Sequence, residues 1–160
     1  MPTIELSILI EAPVERVFDL ARSLDLHMDS TAETGERAVG GVTSGLLGPD
    51  QEVTWRARHF GVWQHLTSRM TKFEPPHHFR DTMVRGAFAR FDHDHYFERT
   101  GPNDAWTRMR DVFDFTSPLG PIGRMANVLF LTRYMREFLR RRNIMLREVA
   151  EDDRWVCYLP

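Results

Sequence analysis

Apolar and polar residues alternate from Thr3 to Glu11, which puts Ile4, Leu6, Ile8 and Ile10 on one side of an extended chain. A period of two marks a strand with one buried face. After Pro13 the period changes. Val14, Val17, Phe18 and Ala21 recur at helical spacing, and proline suits a first helical turn because its missing N–H costs nothing there. A short amphipathic helix over 13–22 is predicted, then a second short helix or turn over about 24–30. Residues 35–50 carry Gly35, Gly40, Gly41, Gly45, Gly48 and Pro49, the chemistry of a loop or weak hairpin.

From Glu52 the period of two returns in longer runs. Val53, Trp55, Ala57 and His59 share one face, and Phe60-Gly61 reads as the turn. Residues 62–73 form the next strand, with Val62, Leu66 and Met70 facing one way, until Pro75-Pro76 ends it. Strands over 78–85 and 88–99 flank a turn at Gly86-Ala87, and 105–116 follows the turn Gly101-Pro102-Asn103-Asp104. Pro118, Gly120 and Pro121 then break the chain before a helix of about 121–150. Val128, Leu131, Met135, Phe138, Met145 and Val149 give that helix an apolar stripe. Arg124, Arg133, Arg136, Arg140, Arg141 and Arg147 occupy its opposite face.

The predicted fold class is therefore α+β. A run of antiparallel strands must bury one face, and the long striped helix is the large element able to cover it. A curved sheet wrapped around such a helix encloses a cavity, because the helix cannot fill the whole concavity. There is no internal repeat and no low-complexity segment.

Composition narrows the function. A chain of 160 residues fits one domain, with 42% hydrophobic and 28% charged residues. That domain is expected over 1–150, with 151–160 as an acidic tail adding little to the core, although Trp155 and Tyr158 could dock. The single cysteine, Cys157, excludes an internal disulfide and a multi-cysteine metal site. A formal charge of −2 argues against a nucleic-acid partner. No apolar run approaches a membrane span and no signal-peptide pattern opens the chain, so a cytoplasmic location is expected.

The segments "IEAPVERVFDLARSLDLH", "VTWRARHFGVWQHLTSRMTKFEPPHHFRDTMVRGAFARFDHDHYFE" and "DVFDFTSPLGPIGRMANVLF" resemble the START-like, birch-pollen-allergen-like (SRPBCC) helix-grip superfamily. The likeness is to its bacterial polyketide cyclase/dehydrase and coenzyme-Q-binding-like members, over about residues 3–150. It implies a curved antiparallel sheet around a long C-terminal helix, with two short helices after the first strand. It does not imply one activity, because the superfamily has no universal catalytic motif.

Candidate chemistry sits on the predicted inner face. Phe79, Asp81 and Met83 share one side of their strand; Phe91, His93, His95 and Phe97 share one side of the next. Met109, Asp111 and Phe113 continue that face on the last strand, with Phe115. Given a bulge near Gly86, His93 falls opposite Asp81 and His95 opposite Asp111. With Trp55, Leu66, Met70, Leu131 and Met135 these residues, Phe115 apart, are the predicted ligand-binding set: a mostly apolar lining with a few polar groups that orient a guest. His–Asp pairs there can hydrogen-bond a ligand, act as general acid and base, or serve as a buried network that fixes the sheet register. Because His93 and His95 lie two apart on a strand, a metal with Asp81 or Asp111 is a further option. Without an HExxH or cysteine pair, no metal or other cofactor is expected.

Other features carry less. His77-His78, beside Pro75-Pro76, is expected to be solvated, as are Arg56 and Arg58. The arginine face of the long helix fits a solvated surface paired with Glu137 and Glu148; an anionic membrane surface or RNA is the alternative partner. No nucleophile elbow, P-loop or dinucleotide fingerprint occurs. The leading reading is a carrier or sensor for a hydrophobic small molecule such as a lipid, quinone or polyketide. The competing ones are a cyclase/aromatase-type enzyme using the His–Asp pairs, and an interaction protein acting through the arginine face.

Overall fold

The period-two segments form seven strands, seen in a computed structural model that describes residues 2–117 and 124–160 and, of residues 124–127, the backbone alone. They are β1 (Thr3–Ile10), β2 (Arg37–Gly41), β3 (Glu52–His59), β4 (Val62–Glu74), β5 (His78–Arg85), β6 (Arg90–Thr100) and β7 (Trp106–Thr116). Helices α1 (Val14–Ala21) and α2 (Leu24–Ser30) follow β1, and α3 (Arg124–Glu151) follows β7. The break predicted at Pro118, Gly120 and Pro121 lies outside the described residues, as does the side chain of Arg124.

All seven strands join one antiparallel sheet in the order β1-β7-β6-β5-β4-β3-β2. The first strand pairs with the last. The glycine-rich stretch yields the edge strand β2, whose register slips between Ala38 and Gly40. Gly41, at φ +66°, brings its α-carbon so close to the Glu52 carbonyl that no side chain fits there. Strand β4 carries two further register shifts, at Thr67/Ser68 and Met70/Lys72. Bulges bend a strand and add twist, and these shape the concave face. The shift after Met70 also turns Phe73 inward, where its ring meets Phe18. Val62, predicted to face inward with Leu66 and Met70, is exposed because it lies at the hairpin tip.

Pro13 stands just before α1 as its N-terminal cap, and its carbonyl accepts from the Val17 N–H. Ser23 caps α2 through its hydroxyl, which accepts from the Leu26 N–H. The buried apolar residues form two clusters. One joins α1 and α2 to Met70, Phe79, Phe97, Met109 and the end of α3 at Leu146, Val149 and Ala150. The other joins Ile4, Phe91, Phe113 and Phe115 to Leu139, with Leu131, Met135 and Phe138 against it. No helix of the described residues is long and apolar enough to cross a membrane.

The last ten residues do more than was expected of a tail. Residues Asp153–Cys157 make a 3₁₀ turn, and Trp155, Tyr158 and Leu159 pack against the first cluster. The Arg16 guanidinium lies over the Trp155 ring, and the Tyr158 hydroxyl donates to Asp29 Oδ2 at 2.7 Å. The charged run Glu151–Arg154 just before these side chains masked how far they dock.

Candidate functional site

Strands β5, β6 and β7 place four ionisable side chains together between the two clusters. Asp81 pairs with His93 and His95 with Asp111, the registers expected from hydrophobic alternation. The side chains keep the expected His95–Asp111 pair and redirect the other one. His95 Nδ1 lies 2.7 Å from Asp111 Oδ1, and His93 Nε2 lies 3.5 Å from that same oxygen. Asp81 Oδ2 faces His95 Nε2 at 3.6 Å instead of meeting His93. The result is one chain, Asp81–His95–Asp111–His93, in place of two separate pairs. Phe79 stacks on His95 with ring centres 4.3 Å apart, and Phe113 stands edge-on to His93.

Helix α3 completes the cluster with two residues the sequence reading passed over. The Asn143 side-chain amide donates to Asp111 Oδ2, and the Arg142 guanidinium lies 4.0 Å from that oxygen. Arg142 also donates to the Ala21 carbonyl and to Asn143 Oδ1. The signal was a gap: the predicted stripe jumps from Phe138 to Met145, and residue 142 falls four after Phe138 on the same face.

Burial sets the protonation of the group. His93, His95 and Asp111 are 8%, 1% and 1% exposed. Burial first, and then the neighbouring His95 charge, pushes the His93 pKa down to about 4, so its imidazole is neutral near pH 7. Burial also opposes charge on His95, but the Asp111 carboxylate outweighs it and raises the pKa. Asp111 is held well below the usual carboxylate range, because the attraction of His95 overrides its own desolvation. His95 and Asp111 thus behave as an ion pair, although their close approach is not aligned as a hydrogen bond. His93 Nε2, His95 Nδ1 and Asp111 Oδ1 lie within 4.8 Å of one another and are the described groups able to hold a metal.

A cavity opens onto this cluster. Its inner chamber, of about 120 Å³, is lined by Trp55, Leu66, Met70, Phe79, Asp81, Phe91, His93, His95, Phe113 and Met135 among others. A wider space of about 450 Å³ lies beside it, lined mainly by apolar residues including Phe60, Leu131, Tyr134 and Phe138. Leu66, Phe88, Met135, Phe138 and Glu36 line both, so chamber and vestibule adjoin. At the chamber wall His27 stacks on Trp55 and binds the buried Glu36 at 3.0 Å, a polar pair not singled out from sequence.

The predicted lining set divides. Met83, Phe97 and Met109 do not line either space. Phe97 and Met109 are core residues of the first cluster, and Met83 packs against the second. Asp111 lies behind the two histidines and reaches the chamber through them. Trp55 faces inward, whereas Trp63 is 52% exposed and stacks under Arg56, because the Phe60-Gly61 turn is tight. His78, expected to be solvated, is buried on the outer face of the sheet. Its Nε2 meets Asp94 at 2.7 Å and its ring stacks on Tyr96; Arg80 grips the same carboxylate with two N–H groups. On α3, Arg140 and Arg141 pair with Glu137, and Arg141 also with Glu33; among the described residues no ion pair reaches Glu148.

A seven-stranded antiparallel sheet gripping a long C-terminal helix, with a cavity between them, defines a helix-grip protein of the START/birch-pollen-allergen class. Within it the chain belongs to the family described as polyketide cyclase / dehydrase and lipid transport, whose sequence profile matches residues 1–151. Among curated proteins none matches the sequence. Solved structures share the fold at low identity. The protein TTHA0849 of Thermus thermophilus is 20% identical with a TM-score of 0.75, covering 93% of this chain and 97% of its own. A START superfamily protein of Mycobacterium smegmatis is 9% identical with a TM-score of 0.66, covering 93% and 97%. Ginseng major latex-like protein 151 of Panax ginseng is 12% identical with a TM-score of 0.63, covering 99% and 98%.

Proposed function

We propose that the protein binds a hydrophobic small molecule of lipid, quinone or polyketide type, its apolar body in the vestibule and its polar end at Asp81 and His95. One observation carries this reading: a mainly apolar space of about 450 Å³ adjoins a chamber lined by Asp81 and His95, with Asp111 behind them. The vestibule lies in the ~300–1,000 Å³ range of small-molecule sites, and the chamber alone falls below it. Met135 lines both spaces, and a thioether side chain adapts its shape to a guest.

The test uses metal-free protein and the fluorescent probe anilinonaphthalene sulfonate. The wild-type chain is expected to bind it saturably. Met135→Trp, which fills the junction between chamber and vestibule, is expected to weaken binding at least tenfold while the circular dichroism stays unchanged. Equal affinity in a folded Met135→Trp chain would contradict the reading.

A cyclase-type enzyme is the second reading. What favours it is His95, which lines the chamber and whose pKa the Asp111 carboxylate raises, a proton donor for a bound carbonyl. Mass change of a bound polyketide-like guest on incubation separates a catalyst from a carrier.

A further inference from the structure

Buried polar side-chain atoms are nearly always hydrogen-bonded in native proteins. Among the described residues five such atoms have no hydrogen-bond partner, and four of them meet in one place: Asp81 Oδ1, His93 Nε2, His95 Nδ1 and Asp111 Oδ1. The last three converge from neighbouring strands. His95 Nδ1 and Asp111 Oδ1 approach to 2.7 Å without the alignment of a hydrogen bond, and His93 Nε2 stands 3.5 Å from the same oxygen. Three buried nitrogen and oxygen atoms within 4.8 Å of one another, none with a hydrogen-bond partner, are what a cation requires.

We infer that His93 Nε2, His95 Nδ1 and Asp111 Oδ1 bind one divalent first-row transition-metal ion. Ligands about 2.0–2.1 Å from a tetrahedral ion stand about 3.3 Å apart. The two measured separations bracket that value. Two imidazoles and a carboxylate suit zinc or iron and disfavour magnesium and calcium, which take oxygen ligands. The surroundings match what metal ligands need. The other nitrogen of His95, Nε2, faces Asp81 Oδ2 at 3.6 Å, the carboxylate that would orient the ring once Nδ1 holds the ion. The other oxygen of Asp111 is held by the Asn143 amide, so Oδ1 alone is free to bind. Two carboxylates against the single Arg142 guanidinium leave the pocket negative when both imidazoles are neutral. Three protein ligands leave a coordination position open, and His93 and His95 both line the chamber, so that position faces it. Binding exchanges water ligands for side chains, displaces to solvent the proton that His95 carries beside Asp111, and involves no redox step.

The inference does not depend on any hydrophobic ligand, and its test uses the metal alone. The full chain, freed of its purification tag, stripped with a chelator and carrying Cys157→Ser to remove the exposed thiol, is titrated with Co²⁺ and then Zn²⁺. Visible absorption saturating at one Co²⁺ per chain, and displaced by Zn²⁺, is expected. His93→Ala should weaken binding about a hundredfold or more, and Asp81→Asn about ten- to a hundredfold with the stoichiometry kept. His65→Ala and His77→Ala, at exposed positions, should leave it unchanged. If His93→Ala fails to fold, NMR of the Co²⁺-loaded Cys157→Ser chain replaces it, with shifted resonances expected from two imidazoles and one aspartate. No saturable absorption, absorption that survives His93→Ala, or shifted resonances from other residues would overturn the site and leave water as the partner of these atoms.

Discussion

His95 shows how one side chain serves both structure and site. It is buried, stacked on Phe79, and lies between the Asp81 and Asp111 carboxylates. Removing one member of a buried ion pair strands the other, at a cost of ~3–5 kcal/mol. His95→Phe is therefore expected to lower the unfolding free energy by about 3 kcal/mol or more. Urea denaturation measures it, and a loss under ~1 kcal/mol would show that Arg142 and Asn143 suffice to hold Asp111. The register around His95 was legible in the sequence, because Phe79, Phe91, Phe113 and Phe115 fix which strand faces point inward. The diagonal contacts, Asp81 with His95 and His93 with Asp111, were not. Residues directly opposite share a register line, but long side chains lean along the strand and reach diagonal neighbours, which alternation alone does not record.

Helix α3 illustrates the same limit at the scale of an element. Its stripe predicted which face meets the sheet, and Leu131, Met135 and Phe138 lie there against the second cluster. Arg142 and Asn143 lie on that face too, and their polarity hid them: a helical pattern read by hydrophobicity skips the polar groups that a buried carboxylate attracts. The segment after α3 was misread for a related reason. Trp155, Tyr158 and Leu159 return to the core around α1 and α2, although the charged run Glu151–Arg154 precedes them. Partial burial of three large side chains is worth on the order of 3 kcal/mol. Truncation after Glu151 should accordingly lower the unfolding free energy by roughly that amount, well above a surface change. A shift of the denaturation midpoint too small to resolve would show that the docking adds nothing to stability.

For the whole molecule, element order alone predicts the architecture, since one sheet and one long striped helix can bury their apolar faces only against each other. The strand order sets β1 beside β7 and leaves β1 and β2 as the two edges of an open sheet. What the sequence could not give is the shape of the space left over. That depends on the bulges in β4, on where Met83, Phe97 and Met109 end up, and on a vestibule built partly from residues of the β3–β4 tip such as Phe60. The central claim is that this space holds a hydrophobic small molecule. Native mass spectrometry of freshly purified protein tests it most directly, with Met135→Trp purified in parallel. A bound organic species on the wild-type chain, extractable into solvent and absent from Met135→Trp, is the predicted result; a wild-type chain free of any adduct even after incubation with lipid, quinone and polyketide extracts would contradict it.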